Sequence, residues 1–177
     1  MGEIKSTLDL VLEKTKGLTL SEEEKRQQRR QESNDLLRGL LQKYQDRKLN
    51  LEQVRKEFEK LKKSDEGVDG AMRVETFDRI QPDGDNPPFI SLLRDLFHMD
   101  VTRLESTLEG YKSTIRSAAE NRAAEIRKDL SQIHVIHGSA VVPNLEADGD
   151  WADMKAAIRS EYANLLDREK AALHGRE

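Results

Sequence analysis

Between Val101 and Ile133 the chain reads VTRLESTLEGYKSTIRSAAENRAAEIRKDLSQI, with no proline and an apolar residue at nearly every third or fourth place. Val101, Leu104, Leu108, Tyr111, Ile115, Ala119, Ile126, Leu130 and Ile133 fall on one face of a helix. At 1.5 Å rise per residue that helix is roughly 50 Å long. A stripe of this length must be covered by a second helix or a second chain. The spacing alternates three and four until Tyr111 and then runs 111, 115, 119. Such a stutter relaxes left-handed supercoiling and favours nearly straight packing.

The segment after the stripe reads HVIHGSAVVPNLE, residues 134–146. Gly138 is the expected helix stop, and Ala140–Val142 is the one β-prone run, closed by Pro143. An extended segment near 139–146 follows, lying on an apolar surface or serving as a recognition strand. Asp150 and Asp153 are the expected caps of a last helix whose stripe is Trp151, Met154, Ile158, Tyr162, Leu165, Leu166 and Leu173. The connection from Gly138 to Gly149 is long enough to turn the chain back. Residues 100–177 therefore read as an antiparallel helical hairpin.

Upstream, Ile4, Leu8, Val11 and Leu12 form a short amphipathic stripe ended by Gly17. Ser21 and Glu24 make a capping box, yet Glu22–Asp35 offers no apolar residue at all. Leu37, Leu40, Leu41 and Tyr44 supply one apolar face, and Leu51, Val54, Phe58 and Leu61 supply another. Arg47 falls where a core residue belongs, and Asn50 with Gln53 makes a second capping box. The chain is expected to break at about 48–50, with one continuous coiled-coil helix as the alternative. Residues 1–63 are thus an N-terminal helical arm. Residues 64–99 read as a linker: a loop at 64–70, a helical piece around 72–80, then a corner with three prolines at 81–88. Phe89, Ile90, Leu92, Leu93, Leu96, Phe97 and Met99 form the densest apolar patch, either a core plug or a partner-docking knob.

Composition narrows the function classes. Charged residues make up 36% and aromatics 5% of the chain, with a formal net charge of -4 and both signs interspersed. Counted with its Gly and without its Tyr, the apolar share is about 40% against roughly 45–50% in ordinary globular proteins. A thin core of this kind suits long amphipathic helices, which bury a stripe and leave the rest wet. Zero Cys removes disulfides and thiolate chemistry and fits a reducing cytoplasm. No charge-free run among the first residues resembles a signal or a membrane span, so a soluble cytoplasmic protein is expected.

Candidate chemistry is thin. His134 and His137 share a turn but lack a third ligand at a usable spacing. Asp83, Asp85 and Asn86 start like a calcium loop, but Pro88 stands where its glycine belongs and Arg94 where its bidentate Glu belongs. Asp148, Asp150 and Asp153 fail in the same way at Arg159. No phosphate-binding, dinucleotide-binding or nucleophile-elbow motif occurs. The sequence thus predicts an all-α protein, an elongated helical bundle or coiled-coil hairpin with a short extended segment near 139–146. It needs no metal or cofactor and acts without catalysis as an interaction adaptor or scaffold. The candidate interaction residues are Phe89, Phe97, Val141, Val142, Leu145 and Trp151, with a homodimer and an unidentified protein as the expected partners and no membrane. The alternative is a nucleic-acid- or ribosome-associated factor using Lys25–Arg30 and Lys56–Lys63. Acidic neighbours and the lack of interleaved aromatics argue against that use.

Overall fold

The computed structural model describes residues 21–64, 67–133, 138 and 141–175; the stripe at Ile4–Leu12 and the pair His134 and His137 lie outside them. The protein is all-helical, 82% helix with six α-helices and no strand among the described residues. It divides into two compact units, one ending at Glu75 and the other beginning at Thr76.

In the first unit, α1 (Glu22–Gln45) starts at the Ser21–Glu24 capping box: the Glu24 N–H donates to Ser21 Oγ, and the Ser21 N–H to the Glu24 carboxylate. The helix ends in a Schellman motif, with Lys48 N–H bonded to Lys43 O and Arg47 N–H to Tyr44 O. Arg47 holds φ 58°, the left-handed position that glycine normally fills. The break therefore falls at 46–50. Asn50 and Gln53 exchange both capping-box bonds at 2.9 Å and start α2 (Leu51–Ser64). Leu37, Leu40, Leu41, Val54 and Phe58 are buried, joined by Val68 and Met72 of α3 (Val68–Asp78). The helix thus starts inside the stretch 64–70 expected to be a loop. Val68 and Met72 recur one turn apart, and the apolar stripe they begin outweighs the helix cost of Gly70.

The second unit is built around the proline corner. Asn86 is buried and closes the corner on itself: its Nδ2 donates to Gln81 O at 2.7 Å, and its Oδ1 accepts from Gln81 N–H. A Cβ on Gly84 would stand 3.1 Å from that Oδ1, so a larger residue would press the amide back by a few tenths of an ångström. Pro87 then opens α4 (Pro87–Ser91), which passes into a π-helical turn at Leu92–Leu96. Phe89, Ile90, Leu92 and Leu93 are all core. His98 at φ 54° redirects the chain, and Asp100 accepts from the Thr102 N–H where α5 (Thr102–Ile133) begins.

The last helix, α6 (Gly149–His174), packs on α5. The pairs Arg103–Glu169, Thr114–Tyr162 and Arg122–Asp148 descend along α6 as they ascend along α5, so the two helices run in opposite directions. Tyr162 sits edge-on to Tyr111 at 5.6 Å and lies over Gly110, where a Cβ would meet its ring at 3.3 Å. The cap of α6 is Asp148, one place before the helix starts. This corrects the expectation for Asp150 and Asp153, which already lie within the helix. Of the extended segment expected at 139–146, Ser139 and Ala140 lie outside the described residues. Residues 141–144 carry no regular structure, and Leu145–Ala147 close into a 3₁₀ turn.

Candidate interaction surface

Burial along α5 changes partway. Val101, Leu104, Leu108 and Tyr111 are buried, whereas from Ile115 onward no residue of the helix is. Ile126 and Leu130 are half-buried, and Ile133 is 70% exposed. On α6, Trp151 and Leu166 are buried while Met154 is 41% exposed. Beside the end of α5 runs the connection: Arg127 Nε donates to Val141 O at 3.3 Å, and the 3₁₀ turn packs on the helix. It covers part of the stripe and leaves the rest open, because the irregular residues 141–144 and one 3₁₀ turn stand there in place of a full helix.

The candidate residues separate into two groups. Phe89 and Trp151 are buried, Phe97, Val141 and Leu145 are half-buried, and Val142 stands 79% exposed. Val142 therefore does not lie on an apolar surface within the chain. Val141, Val142, Leu145 and Trp151 belong to the α5–α6 connection and the first turn of α6, whereas Phe89 and Phe97 flank the π-helical turn.

Sequence reasoning did not find the ionic groups that hold this region. Arg122 places its Nη2 2.8 Å from Asp148 and 2.7 Å from Asp150, and its Nη1 3.2 Å from Glu125. Hydrogen bonds from Arg122, and then the Trp151 N–H, hold the Asp148 carboxyl below its ordinary pKa. These carboxylates push the guanidinium higher still. At the other end, Asp83 of the proline corner accepts from the Tyr111 hydroxyl and from Arg159 Nε, joining the corner to both helices. Burial first, then the Asp83 bond, pushes the Tyr111 hydroxyl up to about 12. The calcium-loop match starting at Asp83 fails in the sequence, and in the structure the Asp83 carboxylate takes a phenol and a guanidinium as partners. The available signal was an acidic residue in a turn, which does not name a partner 28 or 76 positions away.

A groove of about 520 Å³ lies between Ile80–Pro82 and the α6 face of Ala156, Ser160 and Ala163. Its cations Arg159 and Lys170 are paired with Asp83 and Asp167. Within the first unit, the basic runs do not converge. Lys56, Lys60 and Lys63 stand on the side of α2 opposite Val54 and Phe58, while Arg26 and Arg30 continue the line of Leu37 on α1. No group of three or more His, Cys, Asp or Glu residues able to hold a metal ion occurs among the described residues, and no described helix is long and apolar enough to cross a membrane.

Comparison with protein-family models, curated proteins and solved structures finds no match to this chain.

Proposed function

We propose that the protein is a non-catalytic helical interaction protein, an adaptor or scaffold, that docks a protein partner on the distal half of its α5–α6 coiled-coil hairpin. One observation carries the reading: the apolar stripe continues to Ile133, but its burial stops at Tyr111. Apolar side chains repeated on one helix face and left half open gain free energy when a partner removes them from water, at roughly 25 cal/mol per Å². The carboxylates of the region sit in ion pairs or in solvent, an environment without the burial that tunes an acid–base pair.

A homodimer through the same face is the second occupant to weigh. It sets two surfaces of like charge against each other, so a different protein fits better. Sedimentation equilibrium giving a dimer that Ile133→Asp dissociates would reverse that order. Cross-linking in cell extract tests the main reading. Cross-links from one protein should gather at Lys128 and Lys155, the two lysines of the distal half of the α5–α6 pair. Cross-links confined to lysines 25–63 would overturn it and favour the nucleic-acid alternative if capture also fell steeply with salt.

A further inference from the structure

The sign of charge around the open stripe points to the partner's chemistry. Arg122, with its side chain 19% exposed, faces three carboxylates, so this cluster alone carries a net charge of -2. Asp148 is taken up by the cap of α6 and is 14% exposed, whereas Glu125 and Asp150 are 62% and 78% exposed and turn much of each carboxylate to solvent. Over 118–133 and 141–158 there are seven carboxylates and four cations, a net charge of -3. Lys155 is already paired with Glu146 at 3.6 Å, and Glu120, Asp129 and Asp153 have no ion-pair partner among the described residues. Ile126 follows Arg122 by one turn on the same face of α5, so charge deficit and open apolar surface are neighbours.

We propose that this surface takes a basic amphipathic helix of a protein partner. A Lys or Arg of that helix enters beside Glu125 and Asp150 as the second cation the Arg122 cluster lacks, and its apolar side chains cover Ile126, Leu130 and Met154. From Ala118 to Ile133 the open stretch of α5 spans roughly 22 Å, the length of about 15 helical residues. A second copy presents the same net negative charge and is disfavoured here, as is a nucleic acid with its phosphates. The inference rests on the docking reading above and adds the sign and form of the partner.

Two labelled 15-residue helical peptides with identical leucine positions, one carrying lysines and the other glutamates, are titrated against the full chain by fluorescence anisotropy. The lysine peptide should bind at least tenfold more tightly. Its affinity should fall at least fivefold in Glu125→Gln/Asp150→Asn, which leaves the Asp148 cap in place, with an unchanged melting temperature. Met154→Ser, which alters no charge, should weaken it as well. Equal affinity of the two peptides, or no loss in the double variant, overturns the sign of the partner while the docking reading stands. Unchanged binding in Met154→Ser, or no binding of either peptide, overturns docking on this apolar face itself.

Discussion

The two halves of α5 continue one apolar stripe and meet different fates. At Leu104, Leu108 and Tyr111 the stripe faces the proline corner, the α4–π segment and the C-terminal half of α6, and it is buried. Beyond Ile115 the neighbours are the first turns of α6 and an irregular connection, and the stripe is left half open. Periodicity states which face is apolar; what covers that face is set by contacts distant in sequence. A helix can thus carry one apolar face whose two ends are covered to different extents.

Substitution should separate the halves by about twofold or more. Leu104→Ala removes a fully buried side chain and should cost about 2–5 kcal/mol, seen as a clear fall in melting temperature. Leu130→Ala, at an equivalent place in the stripe but half-buried, should cost under about half as much. Equal losses would erase the contrast.

A smaller effect tests how the buried half is tied down. Tyr111→Phe deletes the hydroxyl bonded to Asp83 and should cost about 1 kcal/mol, since Asp83 keeps Arg159 and is partly solvated. Because the phenol is pushed up to about 12, the folded state holds its proton where the unfolded chain has lost it. That contribution to stability is complete below pH 10 and lost as the pH rises from about 10 to 12. Ultraviolet titration of the folded protein should show one tyrosine ionising near 12, absent in Tyr111→Phe. A titration with no component near 12 would contradict the burial of this group.

In the distal half, Asp148 runs the other way. Its depressed pKa means that its stabilising effect is present above the ordinary carboxylate range and lost as the pH falls through the folded value. Trp151, the one tryptophan, is 5% exposed beside it and reports the event. Acid should redden its emission before the far-ultraviolet helix signal collapses, and Asp148→Asn should do so at neutral pH. Simultaneous loss of both signals would mean that the cap and Arg122 are not a local latch. The smallest effect belongs to Val142→Asp: at 79% exposure it should change stability by no more than about 0.5 kcal/mol, seen as an unchanged melting temperature.

What could be read from the letters follows from range. Both capping boxes, the break near Arg47 and the long α5 depend on residues three to seven apart, and all are visible in the sequence. Arg47 betrayed itself as a charge on an apolar line; its left-handed backbone then ended the helix. Short-range cues also misled where glycine was concerned: Gly70 and Gly149 both sit in first turns of helices that were expected to start later. The Asp83 bridge and the bonds of Arg122 to Asp148 and Asp150 join residues 26 or more positions apart, and single-chain spacing does not encode them.

The division of α5 is tested most directly by amide hydrogen exchange resolved along the helix in the full chain. The account predicts protection near the global unfolding limit through 104–115, and exchange faster by orders of magnitude over 122–133, where few contacts oppose local opening. Uniform protection along the whole helix would show that the distal half is held as firmly as the core, and would contradict its reading as an open docking surface.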